Sequence, residues 1–153
     1  IDEKNGNLRT TIWIIKLLSE KPLEEIVRHP KVKRAVQGIR RRIENRLKFY
    51  RRKLQLLGGA TFVDLTSVKF RPLTFAPYFL YPRALYGLRL SMTGRLRHLN
   101  VGVNPWRRKE NGVNIGQLLA RYGGGGHKQV GGIKFKTKSA AEKAVKEIIE
   151  YLK

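Results

Sequence analysis

Residues 113–136 read VNIGQLLARYGGGGHKQVGGIKFK, and this stretch decides the fold of the carboxyl-terminal half. Its apolar side chains recur at helical spacing as far as Tyr122, which predicts a helix of about three turns. The consecutive glycines that follow end this helix abruptly, because glycine is a poor helix former. The segment from Val130 to Lys136 then predicts a strand. A glycine loop is therefore expected between a helix and a strand.

Further strand patterns precede this stretch, and a helix follows it. Ser139 with Glu142 predicts a capping box that opens a last helix. The alternating segments predict strands at residues 60–68, 84–92 and 96–103. We therefore expect an α/β (α+β) domain with a mixed β-sheet of about five strands flanked by helices.

The amino-terminal part carries helical patterns only. Apolar residues from Val32 to Leu57 step by three or four, which predicts one long amphipathic connecting helix that ends at Gly58-Gly59. Shorter helices are predicted at residues 10–19, capped by Thr10 or Thr11, and at 23–27.

The charge balance predicts an anionic partner. The 153 residues contain 33 Lys+Arg against 11 Asp+Glu, a formal charge of +22. Many of these cations lie on the long helix, among them Arg40, Arg41 and Arg42, with few carboxylates to pair them. Their mutual repulsion favours a nucleic-acid-binding role for part of the run. A solvated helix face is the other interpretation.

Composition excludes several classes of site. The sequence has no cysteine, which rules out disulfides, thiolate-held metals and a thiol nucleophile, and it favours a reducing, cytoplasmic setting. The apolar run from Ile12 to Leu18 contains Lys16 and is too short to span a bilayer, so we expect no membrane association. Carboxylates and histidines are scattered, so neither a metal site nor a Ser-His-Asp arrangement is expected in this chain.

The glycine loop is the first candidate binding site. Consecutive glycine amides at Gly123–Gly126 can point into one concavity and form an anion nest, while His127 adds a donor and Lys128 a point charge. The loop is not a Walker loop, because its glycines close a helix instead of opening one. A simple helix cap and turn is the alternative interpretation, although one glycine would suffice for that.

The segment Asn104-Pro105-Trp106-Arg107-Arg108 is the second candidate. Trp106 between cations can stack on a base while the guanidinium groups bind phosphates. Trp106 as a core anchor is the competing interpretation. Arginines of the neighbouring strands are expected either to line the same cleft or to be ordinary exposed residues, and His98 is interpreted as a surface residue. These arginines are Arg89, Arg95 and Arg97.

The segment Asn114–Lys128, continuing through Gly131-Gly132, closely resembles the Gly-Gly-Gly-His signature in the carboxyl-terminal domain of DHH-family phosphoesterases. Val101–Trp106 resembles the strand end that precedes the signature in the exopolyphosphatase-like branch, and Ala60–Leu65 resembles the first strand of that domain. The resemblance implies a two-lobed hydrolase. Its amino lobe carries an Asp-His-His motif with two metal ions, usually manganese, and its smaller carboxyl lobe binds the substrate.

The resemblance also implies roles for individual residues. His127 becomes the catalytic residue that contacts the scissile or neighbouring phosphate, and Gly124, Gly125 and Gly126 give the phosphate room. Asn104 and Arg107 become secondary phosphate contacts, beside Lys128.

One large departure from the family is the absence of an Asp-His-His motif from the sequence. We therefore expect no cofactor in this chain, manganese on a separate catalytic lobe, and no activity from these residues alone. Residues 1–28 are interpreted as a helical remnant of that lobe, 29–59 as the linker helix and 60–153 as the substrate-binding domain.

Two functions remain open at this stage. The first is the substrate-binding lobe of a metal-dependent phosphoesterase acting on short oligonucleotides, cyclic dinucleotides or polyphosphate. Its partners would be a phosphate-containing substrate, such as a single-stranded oligonucleotide or a nucleotide, the DHH lobe, and in a homodimer a second copy. The second is a non-catalytic nucleic-acid-binding module that uses the basic helix and the glycine loop.

Overall fold

A computed structural model describes residues 3–153, with side chains from Leu8 onward. The chain divides into two compact units, one ending at Asn45 and the other running from Arg46 to Lys153. The predicted segment 1–28 thus begins with two residues that lie outside the described part. Within that part, no helix combines the length and the apolar character needed to cross a membrane.

Helices alone form the first unit. They are α1 (Glu3–Glu20), α2 (Leu23–Arg28) and α3 (Pro30–Lys53), whose last residues belong to the second unit. Because α1 begins at Glu3, the predicted cap at Thr10 or Thr11 is wrong, and both residues lie inside the helix. His29 separates α2 from α3 in an extended conformation, as expected for a residue before proline.

The second unit contains a six-stranded sheet in the order β1-β2-β3-β4-β6-β5, in which only β2 and β3 are parallel neighbours. The strands are β1 (Gln55–Leu57), β2 (Ala60–Asp64), β3 (Tyr86–Thr93), β4 (Leu96–Val103), β5 (Gly125–His127) and β6 (Val130–Phe135). Three helices accompany them: α4 (Ala76–Leu80), α5 (Ile115–Ala120) and α6 (Lys138–Tyr151). The prediction of a mixed sheet flanked by helices is confirmed.

The two shortest strands depart from the predictions. The long helix ends at Lys53, and residues 55–57 leave it to pair with β2 across a turn in which Gly58 has a φ of 64°. The predicted continuation of the helix to Leu57 is therefore wrong. Strand β5 arises within the predicted glycine loop, where residues 125–127 pair with β6.

One face of the sheet carries the main core. Leu88, Leu99 and Val101 are fully buried there against Leu119 of α5 and Ile148 of α6. Helix α6 is capped by Thr137, whose hydroxyl accepts a hydrogen bond from the Ala140 amide at 3.2 Å. The predicted cap at Ser139 is therefore wrong by two residues.

The opposite face, called here the second face, is covered at its β2 end. A smaller cluster of buried residues packs there around Tyr50 and Val63. The remainder of the second face lies on β3, β4, β6 and β5, and it bears the candidate site.

Candidate phosphate-binding site

A row of paired residues crosses the second face of the sheet. Arg89 of β3 pairs with Asn100 of β4, Asn100 pairs with Gly132 of β6, and Gly132 pairs with Gly125 of β5. Paired residues of neighbouring strands have their side chains on the same face. Arg89 and Asn100 therefore stand beside a strip of sheet that carries no side chains at Gly132 and Gly125.

A second row runs parallel to the first, two residues along each strand. It passes from Gly87 of β3 through Gly102 and Val130 to His127 of β5. Because side chains alternate along a strand, this row shares the face of Arg89. The fold thus brings His127 to the same face as Arg89, at the opposite edge of the strip.

Arg89 is a half-buried cation without a partner. Its Nε is buried, and among the described residues it is the only buried side-chain nitrogen or oxygen that makes no hydrogen bond. None of the ion pairs in the described part includes Arg89. A buried donor without an acceptor costs free energy, so this guanidinium is suited to an anion brought by a ligand.

His98 and Asn100 adjoin Arg89 on the second face. Burial lowers the pKa of the His98 imidazole, and the positive charges of Lys134 and Arg89 lower it further. The Asn100 side-chain nitrogen lies 3.5 Å from His98 Nδ1. His98, which was interpreted as a surface residue, lies partly buried in this cationic cluster.

Of the three strand arginines named from the sequence, Arg89 alone lies on the second face beside the candidate site. Arg97 pairs with Met92 and is two residues from the buried Leu99, so alternation puts it on the core face. Arg95 lies in the exposed turn between β3 and β4. Sequence reasoning left all three open, since strand alternation alone does not say which face is covered.

A groove of about 230 Å³ lies over β3 and β4 beside Arg89. Its floor includes Gly87 and Gly102, where Tyr78 of α4 donates a hydrogen bond to the Gly102 carbonyl at 2.8 Å. A Cβ atom at Gly87 would lie 2.8 Å from the Tyr78 hydroxyl oxygen. Burial raises the pKa of Tyr78, so this phenol stays protonated and keeps its role as a donor at neutral pH. Sequence reasoning did not identify Tyr78 as a groove residue.

The predicted nest of free amides is not formed between Tyr122 and Gly124. The amides of Tyr122 and Gly124 donate to the Leu119 carbonyl at 3.0 Å, and the Gly123 amide donates to Ala120 at 3.1 Å. These three N–H groups complete the end of α5 and are not available to an anion. The prediction of an anion nest at these positions is therefore wrong.

Close packing, and not anion binding, explains why glycine occupies positions 124 and 131. A Cβ atom on Gly124 would lie 2.6 Å from the Gly132 carbonyl oxygen, and one on Gly131 would lie 2.6 Å from that of Gly125. Such distances are too short for any side chain. The glycine stretch and β6 therefore lie closer together than other residues would permit.

His127 and Lys128 lie at the exposed end of this hairpin. The Lys128 carbonyl accepts a hydrogen bond from the Ile115 amide at 3.1 Å, which joins the turn to the start of α5. The Asn114 side chain caps the same helix through the Gln117 amide at 3.2 Å. Phosphate contacts of Gly124, Gly125, Gly126, His127 and Lys128 remain predictions.

Asn104 is a buried structural residue, 1% exposed. Its side-chain nitrogen donates to the Pro82 and Ala84 carbonyls at 3.2 and 2.9 Å, and its side-chain oxygen accepts from the Trp106 amide at 3.1 Å. No donor of this side chain faces solvent. The hydrogen bonds of Asn104 hold the loop after β4, and its predicted phosphate contact stays a prediction.

Arg107 is also engaged within the protein. Its guanidinium donates to the Glu110 carboxylate, with a distance of 2.8 Å from Nε, and to the Arg83 carbonyl. The hydrogen bond to Glu110 raises the pKa of Arg107. A phosphate would have to compete with Glu110, so the structure does not support the predicted contact.

Trp106 is 70% exposed, which rules out the interpretation as a core anchor. Its ring contacts Phe75 edge to face at a centroid distance of 5.8 Å. Phe75 lines the groove, and sequence reasoning did not single it out. The exposed indole agrees with the predicted availability for stacking.

Arg40, Arg41 and Arg42 lie on α3 in the first unit and are exposed. Glu44 is the only acidic residue of this helix. Their binding to nucleic acid remains a prediction.

The described residues bring no group of three His, Asp or Glu side chains together. These residues therefore do not form a site for manganese. The manganese that the family resemblance implies would be held by a separate catalytic lobe.

Residues 96–153 match the family of the DHHA1 domain. This match confirms the resemblance of the glycine stretch to the carboxyl-terminal domain of the DHH family. No curated protein matches the chain by sequence.

Solved structures extend the likeness in fold. The pGpG-specific phosphodiesterase PggH from Vibrio cholerae is 24% identical with a TM-score of 0.79, covering 95% of this chain and 50% of that one. An exopolyphosphatase-related protein from Bacteroides fragilis is 17% identical with a TM-score of 0.55, covering 94% of this chain and 44% of that one. The chain spans about half the length of these two proteins.

Proposed function

We propose that this chain, whose carboxyl-terminal part matches the DHHA1 domain, is the substrate-binding lobe of a phosphoesterase. It binds phosphate groups of short oligonucleotides or related phosphate chains on the second face of its sheet. Arg89 is the anchor for one phosphate, and His127 reaches the substrate from the β5 edge. Charge that develops on the reacting phosphate would be stabilised by these fixed donors.

The unpaired guanidinium of Arg89 carries this proposal. A charged group retained in a partly buried place without a carboxylate costs stability, and a guanidinium can bind phosphate through two parallel hydrogen bonds. The charge of +22 supports a polyanionic ligand.

The separation between Arg89 and His127 favours a substrate longer than one phosphate. They stand on β3 and β5, with β4 and β6 between them. Three strand spacings amount to roughly 14 Å, which two side chains bridge only around a larger ligand. A dinucleotide or a chain of phosphates meets this requirement better than inorganic phosphate does.

Activation of water belongs, in this proposal, to a separate catalytic lobe that holds manganese. Apolar stripes in the first unit support an attached lobe: Ile12 and Ile15 of α1 are 58% and 60% exposed, and Val36 and Ile39 of α3 are each 48% exposed. Exposed apolar surface of this kind marks an interaction site. The two similar solved proteins are about twice as long as this chain, which supports a further lobe.

The test replaces His127 with alanine in the protein assembled with its catalytic lobe and supplied with manganese. We expect turnover of a 5′-phosphorylated dinucleotide to fall roughly 10²- to 10⁴-fold while circular dichroism stays unchanged. Arg95→Gln in the exposed β3–β4 turn is the control and should retain full turnover. Unchanged turnover of the His127 variant would remove this residue from the mechanism.

A second candidate is a nucleic-acid-binding module that works without catalysis. The observation that favours it is the exposed run of Arg40, Arg41 and Arg42 on a helix with Glu44 as its only acidic residue. This candidate predicts affinity for long single strands, with strong salt dependence, in the absence of any metal.

A further inference from the structure

We propose that Phe75 and Trp106 form a nucleobase-binding subsite at the rim of the groove that contains Arg89. The inference rests on the proposed function and narrows its substrate class. It makes the substrate a nucleotide whose base stacks on this aromatic pair, in preference to a bare polyphosphate chain.

The first observation is the unusual exposure of two aromatic side chains in mutual contact. Trp106 is 70% exposed and Phe75 is 57% exposed, and their rings meet at 5.8 Å with an interplanar angle of 64°. Each large ring left in water forgoes the free energy of burial. An adjoining pair offers an apolar surface that a flat ring can cover.

The second observation is that the backbone under both rings is held in place. The side-chain oxygen of buried Asn104 accepts a hydrogen bond from the Trp106 amide at 3.1 Å, and its side-chain nitrogen donates to the Pro82 and Ala84 carbonyls. The Phe75 carbonyl accepts the Phe79 amide at 3.0 Å at the start of α4. The pair is thus presented on a backbone that is already organised, which reduces the entropy lost on binding.

The third observation is that one groove joins Phe75, which contacts Trp106, to the cation. Phe75, Pro105 and Arg108 line it together with Arg89 and Asn100, and its volume is about 230 Å³. Pockets for drug-sized ligands are about 300–1,000 Å³, so this groove suits a fragment such as one base with its phosphate. A nucleotide would place its base against Phe75 and Trp106 and its phosphate towards Arg89.

Stacking distinguishes a nucleotide from a polyphosphate by chemistry. Every nucleobase has a π-face that stacks on aromatic side chains, with little dependence on sequence. Inorganic polyphosphate has no such face and gains nothing from the aromatic pair. Cations suffice for polyphosphate, so the exposed rings point to a base-bearing ligand.

The experiment uses the full chain in a Trp13→Phe background, where Trp106 is the only tryptophan. Indole fluorescence is followed while a 5′-phosphorylated diadenylate or inorganic tripolyphosphate is added. We expect quenching by the diadenylate and none by tripolyphosphate, because only the adenine ring contacts the indole. Affinities of both ligands are measured independently by calorimetry.

Substitutions then separate the subsite from the phosphate anchor. Trp106→Ala and Phe75→Ala should each weaken diadenylate binding roughly 5- to 150-fold and leave tripolyphosphate binding unchanged. Trp106→Tyr should restore most of the affinity, since the phenol ring also stacks. Phe79→Ala is the matched control, because Phe79 of α4, the helix that Phe75 precedes, is 66% exposed but does not line the groove.

The outcomes distinguish failure of the nucleobase subsite from failure of the proposed function. If Arg89→Gln weakens both ligands while Trp106→Ala and Phe75→Ala change neither, the subsite is refuted and the proposed function stands. If Arg89→Gln leaves both affinities unchanged, the proposed function falls, and the subsite falls with it. Equal losses from the Phe79 control and the Phe75 variant would also refute a specific subsite.

Discussion

Gly116 of α5 faces Gly126 of β5 so closely that a Cβ atom on Gly116 would lie 2.5 Å from the Gly126 carbonyl oxygen. The same added atom would lie 3.2 Å from the His127 amide nitrogen. The position of the candidate residue His127 therefore depends on a glycine eleven residues earlier in the sequence. The glycines of this region serve first to bring a helix and a hairpin together.

Gly116→Ala should lower the free energy of unfolding by about 1–3 kcal/mol, because backbone atoms must move to accept the methyl group. Urea denaturation measures this change. Gly38→Ala is a control of opposite sign: nothing lies within 4 Å of that added Cβ in α3, so better helix propensity should make the change neutral or stabilising. Equal effects of the two substitutions would contradict the packing explanation.

Asn104→Ala should destabilise the protein by about 1–3 kcal/mol, because it leaves the Pro82 and Ala84 carbonyls without their donor. Thermal and urea unfolding of the variant measure the loss. The folded variant should bind phosphate with nearly the affinity of the unsubstituted protein. A selective loss of phosphate affinity at unchanged stability would instead restore the contact that the family resemblance implies.

Arg89→Gln should weaken tripolyphosphate binding roughly 10- to 150-fold, the range expected for losing a charged hydrogen-bonding partner. Its effect on folding should be neutral or favourable, because the variant removes an unpaired charge from a partly buried place. Calorimetry and urea unfolding give the two values. Strong destabilisation by Arg89→Gln would show that the cation has a structural partner after all.

His98 should make stability depend on pH in one direction. Burial lowers its pKa below the ordinary 6.5, with help from Lys134 and Arg89. As the pH falls through 6.5, the unfolded chain takes up a proton before the folded protein does, so the free energy of unfolding decreases until the lower folded pKa is passed. His98→Asn should remove this part of the dependence in matched urea titrations from pH 7.5 to 5.

A bound phosphate should act on the same imidazole in the opposite direction. The added negative charge favours the protonated ring, so the pKa of His98 should rise when tripolyphosphate is bound. An NMR titration of the His98 ring with and without the ligand measures this shift. No movement of its pKa would place the phosphate away from Arg89 and His98.

Replacing Arg40, Arg41 and Arg42 with glutamine tests the nucleic-acid-binding candidate. If each contacts a phosphate of a long single strand, the salt slope of binding should decrease by about 2, at roughly 0.7 per contact. Binding of a dinucleotide to the second unit should be unaffected. Filter binding at several salt concentrations measures the slope, and an unchanged slope would assign these cations to a solvated surface.

Prediction from sequence succeeded where the signal is local. The hairpin of β3 and β4 lies within two residues of its predicted bounds, and the predicted last helix is present as α6. Periodicity and turn residues report directly on such elements, because each involves neighbours along the chain.

Prediction failed where distant pairing decides the outcome. Residues 55–57 continue the helical spacing of the preceding segment, yet they form β1 because β2 lies beside them. The glycines at 125–126 look like a loop, yet they form β5 because β6 offers a partner. Hydrogen bonds to a neighbouring strand outweighed the weak local preferences of these short segments.

The amino-acid sequence by itself determined the excess of cations, the period of each long helix and strand, and the glycine stretch that resembles the signature of the DHH family. Tertiary structure alone decided that Arg89, Asn100 and His127 share one face, and that Asn104 is buried while Trp106 is exposed. The physical reason is that strand register and burial arise from contacts between residues far apart in the chain. Local patterns carry no record of which groups those contacts will bring together or leave without a partner.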